Sequence, residues 1–557
     1  MDSEPNQKKC RQGKKLLPKS IFIITLFYLL IYILPLGFRP LMIPDETRYA
    51  EIAREMLASG DLVVPHLNGL RYFEKPILGH WLNAASISVF GENPFAVRLP
   101  AAISTGLLAL LLYLFVQTFC SRRTAILAAL VFLTSILIFL TGEFAILDSL
   151  LNLLLSASIM LLFTAYHRKE HNLLILITSG IFIGLAFLTK GFLAIIIPLI
   201  TIIPFLLWER RPKAILKLLL IPLTCATIVI LPWAIAIQQR EPDFWRYFIV
   251  IEHLKRFAST HAQHAKPFWF FLPIIIAGTL PWSALAPAAI IGLRKDNNQK
   301  SLIHFCICWL IAPFIFFSLS HGKLATYILP CLPPFIILLS LGLTQYHQQS
   351  QKQAFTAGLI LQSAVLIILG TIAILAPKSW VSHMDITIPF EVAKLLAWTV
   401  CLIYAALLLL AIDTRDYFRL SFACIAASPI LLLLATSLMT NFYNDGHCPR
   451  DFFLKNKHHI KKRDTIISTP NLAPAICWYY KRDNILILAN SGELQYGLSY
   501  PDAQDRFISW NKFQTLKNSN SNLIVMLDCK KQKEWNTRLA PALTTNTTQN
   551  RPFYIYK

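Results

Sequence analysis

The chain has 557 residues, 55% of them hydrophobic and only 15% charged, with a mean hydropathy of +0.53. That is too apolar for a soluble protein of this size and makes the membrane the default class. A formal charge of +22 would point to nucleic acid in a soluble chain; here the basic loops of a membrane protein account for it, so no nucleic-acid partner is inferred.

Lys8, Lys9, Arg11, Lys14, Lys15 and Lys19 precede a first apolar run beginning at Ile21, with no small-residue cleavage site after it. This reads as a retained signal anchor with its N-terminus inside. Further spans are expected at 97–119, 124–141, 144–165, 172–189, 191–207, 214–236, 268–291, 301–318, 324–344, 354–376, 392–412 and 418–438, about thirteen in total. The short basic loops Arg122-Arg123, Arg168-Lys169, Arg210-Arg211, Arg294-Lys295 and Arg415-Arg419 then all fall inside, as the positive-inside trend requires. An odd count puts the C-terminus outside. The chain thus divides into a membrane part, 1–439, with long outer loops at 40–96 and 237–267, and an outer tail, 440–557.

The first outer loop contains Asp45-Glu46-Thr47-Arg48-Tyr49, continuing to Leu57 with Tyr49, Ile52, Ala53 and Met56 on one helical side. It reads as an interfacial helix, with Asp45 where a helix N-cap belongs. A cap and a catalytic carboxylate are compatible roles. Farther on, Tyr72-Phe73-Glu74-Lys75-Pro76 sets an acid and a base beside aromatics at the membrane surface, a place suited to a phosphate headgroup; the plainer alternative is a snorkelling lysine. Asp148 is expected one turn inside the outer end of the fourth span, where an ionisable group is a site hypothesis by default and its partner must come from elsewhere.

The second outer loop carries Glu252, His253, Arg256 and His264, and a third outer segment carries Lys323 and Tyr327. Histidines in such loops are commonly plain surface groups; a metal reading needs a carboxylate from another segment, for which Glu74 is the candidate. The tail alternates strand-like runs, Thr465–Ser468, Ile485–Leu488 and Leu523–Leu527, with polar or helical segments, which predicts a small α/β domain. Its 17 Lys and Arg against 9 Asp and Glu suit an anionic lipid surface or a solvated face. Cys448, Cys477 and Cys529 leave room for one unassigned disulfide there. All the off-trend charge converges on the outer face, the signature of a site at the bilayer surface.

Asp45-Glu46-Thr47-Arg48-Tyr49-Ala50-Glu51, Met56 to Asp61, Val64 to Leu67 and Tyr72 to Pro76 resemble, in order and spacing, the bacterial 4-amino-4-deoxy-L-arabinose transferases that modify lipid A. Ile251 to Leu254, Lys323 to Pro330 and Gly492 to Leu498 add to the likeness. The resemblance implies a polytopic α-helical glycosyltransferase of the GT-C class, related to protein O-mannosyltransferases, with outer surface helices and a periplasmic α/β domain. It further implies the bacterial inner membrane, an undecaprenyl-phosphate aminoarabinose donor, a lipid A acceptor, resistance to polymyxin and no nucleotide cofactor. On that reading Asp45 and Asp148 are catalytic. Glu46, Arg48, Tyr72, Lys75, Arg256, Lys323 and Tyr327 contact substrate, and Glu74, His253 and His264 hold a divalent ion, zinc or similar. Inverting single displacement is the simplest course. A transferase of another lipid-linked sugar is the rival within enzymes, and a transporter or lipid flippase the rival outside them.

Overall fold

In the computed structural model, the described residues are 17–168, 172–255, 265–294, 299–349, 352–375, 390–412, 449–519, 523–527, 544–545 and 554–556. Among them, seven helices are long and apolar enough to cross a membrane, or nine when two bent pairs are each taken as one span. The bent pairs are α5 (Arg122–Thr134) with α6 (Ile136–Gly142), at 64°, and Phe268–Gly278 with Trp282–Arg294, at 92°. Shorter apolar helices at Ile24–Gly37, Leu193–Trp208 and Trp398–Leu410 coincide with three more expected spans, and the span expected at 418–438 lies outside the described residues. The signal-anchor lysines before residue 17 do so too.

Three helices frame the site. α4 (Pro94–Phe119) starts cleanly because Pro94 supplies a fixed φ at the first turn and the Asn93 side chain accepts the Ala96 N–H at 3.0 Å. α7 (Asp148–His167) is packed on nearly all sides within the bundle. α8 (Leu173–Lys190) lies close along α10 (Ala214–Arg240), because a Cβ at Gly180 or Gly184 would strike the Pro222 and Ala226 carbonyls. Gly191, at φ +75°, ends α8 and fixes Lys190 at its C-terminal end.

Outside the span region, α2 (Asp45–Ser59) opens with two acids, favoured at a helix N-terminus, and closes on Gly60 at φ +72°. It does not lie at an interface with one face bare, as its periodicity suggests. Residues 46–56 are all buried, with Ala50, Ala53 and Met56 toward the membrane part and Ile52 toward the tail. Its polar stripe is covered partly by its own loop and partly by the tail: Arg54 holds Glu51 at 2.6 and 2.8 Å, Glu55 accepts the backbone N–H groups of Asn68 and Gly69, and Cys477 of the tail lies beside both carboxylates.

The tail is built on a six-stranded sheet of order β5-β4-β3-β6-β8-β7: β3 (Thr465–Ser468), β4 (Leu486–Leu488), β5 (Phe507–Ile508), β6 (Leu523–Leu527), β7 (Thr544–Thr545) and β8 (Tyr554–Tyr556). The first four in that order run parallel, and β8 and β7 are antiparallel. Buried parallel strands read as continuous apolar runs, as Leu523–Leu527 does. Alternation sends Ile466, Ile524 and Met526 to the face shared with α2, and Ile467, Val525 and Leu527 to the other face against Phe513. Cys477 is a buried free thiol that donates to Asn68 Oδ1 at 3.3 Å, so it forms no disulfide; Cys448 and Cys529 lie outside the described residues.

Candidate active site between the bundle and the tail

An anchor lies beneath the site. Glu46 is fully buried, and its carboxylate accepts Arg98 Nε and Nη2 at 2.6 and 2.7 Å, Arg39 Nη1 at 3.0 Å, and the backbone N–H groups of Met42 at 2.9 Å and Ala145 at 3.2 Å. Burial opposes its charge, but the Arg98 and Arg39 guanidiniums outweigh that and hold the carboxyl down at about 2. Arg98 also donates to the carbonyls of Leu36, Arg39 and Pro40, clamping the loop before α2 onto α4. Expected at the substrate, Glu46 is instead structural, because its acceptor positions are filled by protein donors.

Above the anchor the charged side chains form three groups. Arg48 bridges Asp45, in the first turn of its own helix, and Glu493 from the tail. Lys75 donates to Glu252 at 2.9 Å and to the Glu74 carbonyl at 2.8 Å, which draws the π-helical stretch Tyr247–Lys255 onto the Tyr72–Pro76 segment. Asp148, first residue of α7, pairs with Lys190 at 2.8 Å, and the Lys190 ammonium stands 5.2 Å from the centre of the Tyr327 ring. Tyr49 lies among these groups. Burial raises its phenol, Arg48 opposes that, and the charges of Asp148, Asp45 and Glu74 add to it.

Aromatic contacts close the walls. The Tyr72 hydroxyl is 3.5 Å from Glu74 Oε2, and Phe73 packs 5.3 Å from Tyr496 of the tail, whose ring also lies 4.0 Å from that of Tyr247, tilted by 31°. Gly497 is required at this seam, since a Cβ there would meet the Arg71 carbonyl. The tail is therefore a wall of the site. Arg71 bonds to both Glu241 and Asp502, and Asn68 joins Ile485 through side-chain bonds of 2.8 and 2.9 Å.

Several sequence expectations change here. Asp45 is the first helical residue and not a cap, since no side-chain cap bond forms and its carboxylate goes to Arg48. Asp148 starts its helix instead of lying a turn inside, so the positive end of α7 favours its charge. Lys323, expected to face phosphate, is 3% exposed with its ammonium on the carbonyls of Lys266 and Ser320, so it ties two loops together. Tyr72 and Arg48 are buried at the site. Arg256 and His264 lie outside the described residues, as does the His253 side chain.

Lys190, Glu252 and Glu493 were not among the expected site residues. A lysine ending an apolar helix on the side that carries Asp148 is a signal that could have singled out the first. Among the described residues, the grouping of metal-ligand side chains is Glu51, Glu55 and Cys477, but these atoms already serve the seam with the tail.

Comparison with known proteins accords with this arrangement. Residues 19–248 match the family model described as dolichyl-phosphate-mannose-protein mannosyltransferase, and residues 444–556 match the arabinosyl transferase ArnT C-terminal domain. ArnT from Cupriavidus metallidurans bound to undecaprenyl phosphate superposes with a TM-score of 0.78 over 96% of this chain and 98% of its own, at 22% identity. Together these define a multi-span membrane glycosyltransferase of the GT-C class. The undecaprenyl phosphate-α-4-amino-4-deoxy-L-arabinose arabinosyl transferase of Erwinia tasmaniensis is 39% identical over 88% of this chain and 89% of its own length. That of Aeromonas salmonicida is 36% identical over 96% and 98%. The chain belongs to this family of arabinosyl transferases.

Proposed function

We propose that this protein transfers 4-amino-4-deoxy-L-arabinose from undecaprenyl phosphate to a phosphate of lipid A at the periplasmic face of the inner membrane, with its N-terminus cytoplasmic and its tail periplasmic. The modified lipid carries less negative charge, which lowers binding of polymyxin and other cationic peptides. The observation that carries the reading is the site's charge balance. Asp45, Glu74, Asp148, Glu252 and Glu493 are five carboxylates against the three described cations Arg48, Lys75 and Lys190. Surplus negative charge suits an ammonium sugar, while the lysines suit phosphate.

The acceptor phosphate is already an anionic nucleophile, so a strong general base is unnecessary. The barrier lies in bringing two anions together and stabilising the departing lipid phosphate, for which Lys75, with Arg256, supplies positive charge. Asp45 and Asp148 hold the sugar's hydroxyl and ammonium groups and offset oxocarbenium-like charge at the anomeric carbon, Lys190 fixing Asp148. Attack from the face opposite the leaving phosphate inverts the anomeric centre. The proposed site includes a divalent ion on Glu74, His253 and His264, a set of one carboxylate and two imidazoles that suits zinc or a similar ion. When bound, it would supply charge screening for phosphate.

The test is mass spectrometry of lipid A from a host that lacks its own transferase and supplies the donor, complemented with this chain or with Asp45→Ala or Lys75→Ala. Addition of an aminopentose by the parent and its loss in the expressed variants is the expected result. No addition by a well-expressed parent would overturn the reading and favour another lipid-linked sugar or lipid transport.

A further inference from the structure

The tail carries a second charged feature, made of residues that take no part in the site. Between Arg450 and Arg463 stand six Lys and Arg against one acid, Asp451. The short helix Arg450–Asn456 buries Phe452, Phe453 and Asn456 in the tail and leaves Leu454 and Lys455 outward, with Leu454 47% exposed. Lys457, Lys461, Lys462 and Arg463 are exposed as well, and none of these four or Lys455 has a carboxylate partner among the described residues. Asp464, the acid nearest in sequence, is buried and accepts the Lys461 N–H at 2.7 Å, so it caps the turn from within.

Two bonds fix where this strip stands. Lys481 pairs with Glu92, which lies two residues before the membrane helix α4 begins at Pro94. The neighbouring Arg482 donates to the Asp464 carbonyl at 2.9 Å and to the Lys461 carbonyl at 3.5 Å. The end of the basic strip is thereby tied to the part of the tail that meets the start of α4, the helix that enters the membrane there. An exposed leucine among unneutralised cations has the composition of an interfacial lipid contact: the apolar tip enters the acyl boundary and the cations meet phosphate.

We propose that Leu454, Lys455, Lys457, Lys461, Lys462 and Arg463 form a docking surface for anionic lipid headgroups of the outer leaflet. It seats the tail on the bilayer and raises the local concentration of phosphorylated lipid beside the site. The inference rests on the membrane-spanning reading and does not depend on which sugar is transferred.

The experiment is hydrogen exchange on the full chain in nanodiscs of phosphatidylcholine alone, with phosphatidylglycerol, or with lipid A, and in phosphatidylcholine discs with added inorganic phosphate. Each cation near an anionic surface contributes about a fivefold gain in affinity. Exchange across 450–463 is therefore expected to slow severalfold in both anionic discs and not with free phosphate. The triple variant Lys461→Gln, Lys462→Gln, Arg463→Gln should weaken the contact by roughly a hundredfold and restore the rate seen in phosphatidylcholine. These side chains are exposed, so the variant should keep the parent's melting temperature and its exchange across β3 and β6. Equal exchange in zwitterionic and anionic discs overturns the proposal; slowing by free phosphate alone reduces it to an anion site without a lipid role. Protection that survives the triple variant removes these cations from the contact.

Discussion

Replacing Glu46 by Gln probes the anchor beneath the site. The side chain keeps its shape, but one acceptor oxygen becomes a donor facing Arg98, which is 1% exposed. Leaving one member of a buried ion pair without its partner costs about 3–5 kcal/mol. Titration supplies a second magnitude: a carboxyl held at about 2 against an ordinary 4.5 corresponds to about 3 kcal/mol. Because the folded-state pKa is depressed, that stabilisation is complete above about pH 4.5 and is lost as pH falls toward 2. Thermal unfolding of the detergent-solubilised protein at pH 7 and at pH 3, with turnover per folded molecule, measures both. Glu46→Gln should melt several degrees lower at pH 7, with the gap from the parent narrowing at pH 3 and turnover per folded molecule falling only a fewfold. An unchanged melting temperature with abolished turnover would return Glu46 to the substrate and refute the reasoning.

Two further outcomes follow from neighbouring residues. Lys190→Met leaves Asp148 without its ion-pair partner and should lower kcat/KM by about 10²-fold or more at near-parental melting temperature; parental kcat/KM would make the pair purely structural. His80 is fully buried between Tyr49 and Tyr72, neither ring nitrogen has a hydrogen-bond partner among the described residues, and burial, with Arg48 and Lys75, holds it down at about 3. Its folded-state pKa lies below the ordinary 6.5, so the imidazole makes stability fall as pH drops below about 6.5 toward 3. His80→Phe should remove that slope and stabilise the fold by about 1–3 kcal/mol, as pH-dependent unfolding would show; a destabilised variant with the slope intact would contradict this.

Membrane class and most span positions were legible because hydropathy is a property of neighbours along the chain. The motif segments were legible because residues 45–48 and 72–75 stand close together in sequence. Pairing was not. Lys190 and Asp148 are 42 positions apart, Lys75 and Glu252 177, and Arg48 and Glu493 445, and no periodicity links them. Nor did the amphipathic pattern of α2 reveal that the tail covers part of its polar stripe.

Asp45 and Glu46 illustrate the division. They are adjacent acids of one charge, and the sequence determined only that two carboxylates open a helix in an outer loop. One residue of helical rotation, about 100°, turns them to different surroundings. Asp45 is turned outward to Arg48, which in turn reaches Glu493 of the tail, while Glu46 is turned inward to Arg98, Arg39 and the backbone. Only the tertiary structure decided which carboxylate remains for chemistry, because that depends on which cations and N–H groups the packed helices bring within hydrogen-bond reach.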